Sequence, residues 1–134
     1  MKIKNRSVIL DVNNWISIFL DKDFKVIRSF VARGTTILRS QELEKELEEV
    51  LRYEKFQWRK PIGEYMSFFK RFTLYYPTTP IFTDCPDEND NYLFDLAIQS
   101  QADYLVSGDR TVLTTPIPPP TKVISYTHFR EMFL

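Results

Sequence analysis

Val8-Ile9-Leu10-Asp11-Val12-Asn13 decides how the chain is read: a short aliphatic run that ends in one carboxylate and, two residues on, an amide. Continuous apolar runs of this length suit a strand buried on both faces, as in a parallel sheet. Far downstream, Tyr104-Leu105-Val106-Ser107-Gly108-Asp109 has the same layout of apolar run, small turn residues and acid. Two strands that both end in Asp point to a shared site.

Between and around these runs the pattern alternates. Asn13 is the expected N-cap of a helix carrying Trp15, Ile16, Phe19 and Leu20. A second helix spans about Phe24 to Arg33, with Phe24, Ile27, Phe30 and Val31 on one face and Gly34 as its C′ residue. Thr35 to Leu38 is the second strand. Ser40 caps a charged helix from Gln41 to about Arg52, whose stripe is Leu43, Leu47, Val50 and Leu51. Five glutamates (42, 44, 46, 48 and 49) flank that stripe, and periodicity alone singles out none of them.

Tyr53 to Lys60 is a basic, aromatic connection holding Lys55, Phe56, Trp58, Arg59 and Lys60. Pro61 suits the first turn of a fourth helix running to about Leu74 with Ile62, Tyr65, Met66, Phe69 and Phe72 inward. The acidic run Asp87-Glu88-Asn89-Asp90-Asn91 opens a fifth helix reaching Gln101. Asp87 reads as its cap, whereas Asp90 lines up with Leu93, Phe94 and Ala97, so it needs a partner on the buried side. After the third strand, the proline-rich Thr114 to Thr121 reads as an extended connection to a last strand, Lys122 to Ser125. Thr127 then caps a short helix with Phe129, Met132 and Phe133.

Strands alternating with helices predict an α/β chain: residues 1–134 as one three-layer α/β/α domain with a central parallel sheet. For four strands the expected order is 2-1-3-4, which puts the ligand crevice between the first and third, where Asp11 and Asp109 end. Asp90 and a glutamate early in the third helix reach the same edge.

Lys plus Arg equals Asp plus Glu at 18 each, so no global basic field draws in nucleic acid and any such contact must be local. Cys85 is the single cysteine, which excludes an internal disulfide and fits a reducing compartment; a reactive role for it is not expected. No leader pattern opens the chain and no apolar run approaches the ~20 residues that span a bilayer. A cytoplasmic protein without membrane attachment is expected.

Crowded carboxylates repel unless a cation joins them, and oxygen ligands without matching His or Cys select Mg²⁺ or Mn²⁺. Such an ion activates water and steadies the charge of an in-line phosphodiester displacement. His128, the single histidine, sits on the terminal helix and is not assigned a role.

Taken with Ser40 to Leu51, Cys85 to Asn91 and Ala102 to Asp109, the opening run resembles the PIN-domain proteins over nearly the whole chain. More narrowly it is similar to the group described as toxin components of toxin-antitoxin systems, related to VapC-type ribonucleases. That resemblance implies an acidic quartet of Asp11, Glu46, Asp90 and Asp109 that is both catalytic and metal-binding, and it alone selects Glu46. It implies Asn13, Ser107 and Asn91 as residues that orient ligands or metal-bound water, with Asp87 and Asp95 as outer contributors. It further implies a Mg²⁺- or Mn²⁺-dependent endoribonuclease, often a homodimer and often paired with an antitoxin protein. Val12 departs from the pattern, standing where a hydroxyl residue is usual. For the RNA substrate, the candidate contacts are Arg110, Lys55, Arg59 and Lys60, because cations among aromatic rings suit single strands.

Two alternatives accompany this reading. One is a PIN-like domain kept as a protein- or RNA-binding module. The other is a phosphatase with Asp11 as nucleophile, against which Asn13 occupies the place of the second acid in a D-x-D pattern.

Overall fold

The computed structural model describes residues 6–53 and 60–133. Five parallel strands form one sheet: β1 (Arg6–Leu10), β2 (Thr35–Arg39), β3 (Leu74–Tyr75), β4 (Tyr104–Val106) and β5 (Lys122–Ile124), in the order β3-β2-β1-β4-β5. The helices α1 (Val12–Leu20), α2 (Phe24–Ala32), α3 (Gln41–Tyr53), α4 (Ile62–Phe72), α5 (Asn91–Ser100), α6 (Arg110–Thr114) and α7 (Tyr126–Phe133) complete a three-layer α/β/α fold. Val8, Ile9 and Leu10 have no exposed surface, as expected of a central strand covered on both faces. Val8 stands opposite Ile37 on β2 and Tyr104 on β4, and Leu10 opposite Val106.

The four expected strands therefore keep their expected order, and β3 is added at the edge. Leu74 was expected at the end of a helix, but α4 stops at Phe72 because Arg39 takes its last carbonyls. The Arg39 guanidinium donates to Lys70 O at 3.2 Å and to Thr73 O at 2.8 Å, leaving Thr73 extended (φ −123°, ψ 153°). Pro77 and Pro80 come too late to set this boundary.

Three further boundaries differ. Asp11, not Asn13, is the N-cap of α1: its side chain accepts from Asn14 N at 2.9 Å, so the helix starts as soon as the strand ends. Residues 110–114 form α6 because the Asp109 carboxylate accepts from both the Thr111 amide and hydroxyl, each at 2.9 Å. Ser125, not Thr127, caps α7 through the His128 amide at 3.1 Å.

Other expectations hold in place. Ser40 Oγ accepts from Leu43 N at 3.2 Å, and Gly34 takes φ 94° after α2, where a side chain would be strained. Leu43, Leu47 and Leu51 are buried along α3. Trp15 meets Phe69 edge-on with centroids 5.0 Å apart, joining α1 to α4, and Phe30 packs on Phe129 at 4.6 Å, joining α2 to α7. No described helix is long and apolar enough to cross a membrane.

Candidate metal centre

The site starts from Asp11. Its amide donates to Val106 O at 3.1 Å, so the end of β1 is tied to the end of β4. One carboxylate oxygen caps α1; the other accepts from Ser107 Oγ at 2.5 Å. Ser107 is fully buried, and the same oxygen accepts from Asp109 N at 3.0 Å. A single hydroxyl thus fixes Asp11 and Asp109 against each other at the point where the strand order reverses.

Asp109 caps α6 with one oxygen. Asp90 closes a 3₁₀ turn (Glu88–Asp90) that leads into α5, and Asp87 caps that turn through Asn89 N at 3.1 Å. Asp87, Asp90 and Asp109 each place one carboxylate oxygen within 4.8 Å of those of the other two. Asp87 was expected as a cap or outer contributor; it is a cap and also a member of the cluster. The signal in the sequence was its spacing of three from Asp90, one helical turn.

Glu46 enters from α3. The Tyr92 hydroxyl, on α5, donates to it, and this contact separates Glu46 from its four neighbours. Glu44 is engaged by Arg39 at 3.1 Å and Lys70 at 3.9 Å, Glu48 by Arg52 at 3.5 Å, and Glu42 and Glu49 are exposed. Periodicity could not supply this distinction, since the selecting group lies 46 residues away.

Electrostatics bind the acids into one system. Burial raises the Asp11 carboxyl above its ordinary value, opposed by the Ser107 and Asn14 hydrogen bonds and aided by Asp109. Burial also raises Glu46, opposed by Tyr92 and aided by Asp11, Glu49 and Asp87. Asp90 is pushed from 3.8 to about 7, first by burial and then by Asp87, Asp109 and Glu46. Among the described residues its buried Oδ2 has no hydrogen-bond partner. An orphaned carboxylate oxygen facing further acids calls for a proton or a cation. Because the ligands are all oxygens, the residues present fit a hard divalent cation.

The remaining candidates fall elsewhere. Asn13 is exposed on α1 and forms no hydrogen bond to the acids among the described residues; Asn14 is the buried amide, donating to Val106 O at 2.7 Å. Asn91 accepts from Cys85 N at 3.0 Å, and Asp95 from Ile81 N and Phe82 N at 3.0 and 2.8 Å. Both hold the loop ahead of α5. Arg110 is exposed immediately after Asp109. Lys55 and Arg59 lie outside the described residues, while Lys60 lies over the Phe24 ring at 5.1 Å. His128 is exposed on α7 and outside the cluster.

The phosphatase alternative finds little here. Asp11 is 5% exposed with both oxygens already accepting hydrogen bonds, and Asn13 contributes no second acid.

No curated protein and no solved structure matches the chain. A family model for the PIN domain matches residues 7–111, a span that holds both acid-ended strands, α3 with Glu46 and the Asp87–Asp90 turn. With the five-stranded parallel sheet and its acidic carboxyl edge, that match places the chain in the PIN domain family.

Proposed function

We propose that the protein is a Mg²⁺- or Mn²⁺-dependent endoribonuclease that cleaves single-stranded RNA, acting in the cytoplasm as the toxin of a toxin-antitoxin pair. PIN domains are generally nucleases, and the acidic cluster is compatible with metal binding. The observation that carries the reading is the buried oxygen of Asp90 that has no hydrogen-bond partner among the described residues, with Asp87, Asp109 and Glu46 as its acidic neighbours. Similarity to toxin components in the four motifs supports the antitoxin partner and a homodimer.

In this reading Asp87, Asp90 and Asp109 would hold the cation, and Asp11, tied to Asp109 through Ser107, keeps lone pairs free to join them. The bound cation supplies an activated water and charge stabilisation at the phosphate. Glu46 has a raised proton affinity and one oxygen taken by Tyr92, so its other oxygen can accept a proton from the attacking water. Ser107 keeps Asp11 and Asp109 from drifting apart. Arg110, exposed at the rim, offers a guanidinium to a phosphate oxygen.

The test is cleavage of a labelled single-stranded RNA in Mn²⁺ by the wild type and by Asp11→Asn and Asp109→Asn. Both variants should lose cleavage; full activity in both rejects the assignment.

A further inference from the structure

A cluster of acids repels the phosphates of the substrate it is to cleave, and the chain as a whole carries no net charge to compensate. The attraction must come from a local set of cations. Such a set lies in the groove between α2 and α4, a concavity of about 410 Å³ bordered by Arg28, Lys60 and Arg71 and by the rings of Phe24, Phe68 and Phe72.

The cations are held over those rings. The Arg28 guanidinium lies 5.7 Å from the Phe68 centroid and 6.0 Å from that of Phe72. Arg71 lies 5.6 Å over Phe72, and Lys60 5.1 Å over Phe24. Resting on a ring limits where a long side chain can go, and a stacked guanidinium keeps its in-plane N–H donors free for an anion. All three cations are exposed, and among the described residues none of them forms an ion pair; the salt bridges of Arg39, Arg52, Lys70 and Arg130 are elsewhere. Glu64 is the one acid among the described lining residues.

We propose that this α2–α4 groove binds the backbone of single-stranded RNA, as a docking surface separate from the acidic centre. The choice of RNA rests on the nuclease reading above. It also follows from the lining: phosphates match the three cations and flat bases match half-buried rings, and a single strand supplies both at every nucleotide. Affinity is then provided by the groove and chemistry by the acids, so the two can be separated by mutation.

The experiment measures anisotropy of a fluorescent mixed-sequence RNA single strand in EDTA across a KCl series. The wild type is compared with the triple variant Arg28→Gln, Lys60→Gln, Arg71→Gln and with the charge-keeping pair Arg28→Lys, Arg71→Lys. Thermal melts establish that each is folded. Neutralising three cations should reduce the salt slope by about 2, at ~0.7 per phosphate contact on a single strand, and weaken binding at low salt by at least about tenfold. The charge-keeping pair should retain the slope. In parallel, Mn²⁺-dependent hydrolysis of bis(p-nitrophenyl) phosphate, which has no nucleic-acid backbone to dock, should be unchanged in the triple variant. Unaltered RNA affinity and slope in that variant overturn the groove while leaving the nuclease reading intact. Groove-dependent binding of a polyglutamate peptide without groove-dependent binding of RNA overturns it in favour of a protein partner. Failure of the wild type to hydrolyse either substrate counts against the nuclease reading, and the anisotropy still decides the groove.

Discussion

The two ends of β4 both carry an aspartate, and the two are treated in opposite ways. Asp103, at the amino edge, is satisfied: its carboxylate accepts from Ser7 N at 2.9 Å, its amide donates to Ser7 O at 2.9 Å, and Arg6 and Lys122 border the same hollow. Asp109, at the carboxyl edge, has Asp87, Asp90 and Asp11 for company. The carboxylate at the first edge is met by a backbone donor and fastens β1 to β4. At the second, negative charge accumulates, and Asp90 Oδ2 has no hydrogen-bond partner among the described residues. Concentrating like charge destabilises a fold unless something binds there, so the contrast separates a structural acid from a functional one.

The largest expected effect breaks that contrast chemically. Asp109→Asn or Asp11→Asn should reduce RNA cleavage by about a thousandfold or more, the several kcal/mol that a positioned cation contributes. Asp103→Ala should leave the rate alone, as read in a single-turnover assay with saturating Mn²⁺. Equal losses from Asp103→Ala and Asp109→Asn would erase the distinction between the edges.

Next is Tyr92→Phe, which removes the donor that orients Glu46 without touching the cluster directly. A supporting group of this kind is worth about 10- to 100-fold in activity. The loss should fall on the rate, with Mn²⁺ affinity by calorimetry changed little; a loss in affinity alone would mean Tyr92 only shapes the cation site.

The pH dependence follows from Asp90. Its carboxyl is raised from 3.8 to about 7, so between those values the folded protein holds a proton that the unfolded chain has released. This group therefore favours folding at low pH and disfavours it as pH rises through about 7. Metal-free protein should melt at a higher temperature at pH 5 than at pH 8 through this group, Mn²⁺ should restore stability at pH 8, and Asp90→Asn should flatten the metal-free difference. A metal-free protein whose pH 5 to pH 8 melting difference is the same in Asp90→Asn would disprove the strain assigned to that carboxyl.

The smallest effect belongs to the amino edge. Losing the charged hydrogen bond of Asp103 in the Asp103→Ala variant should cost about 1.5 to 3 kcal/mol of stability in urea unfolding. No pH-dependent metal response should accompany it.

Much of this was legible in the order of residues. Val8 to Leu10, and Tyr104 to Val106, are short apolar runs that suit covered strands, and right-handed crossovers then bring the ends of those strands side by side. The Leu43, Leu47 and Leu51 stripe, the Ser40 cap and the Gly34 turn obey local rules that extend over one or two turns. What escaped depends on partners distant in the chain. Arg39 ends α4 and so creates β3; Asn14 rather than Asn13 faces inward because Asp11 is already the cap. Tyr92 marks Glu46 among five glutamates, and the fold of the 3₁₀ turn brings Asp87 from cap into cluster.

The sequence by itself determined four of the five strands, their relative order and the acids that end two of them, because hydrophobic period and turn chemistry are properties of neighbouring residues. Only the tertiary structure decided which carboxylates are satisfied and which are left facing one another. Burial and charge pairing are sums over every segment that reaches a point in space, and no stretch of chain contains that sum.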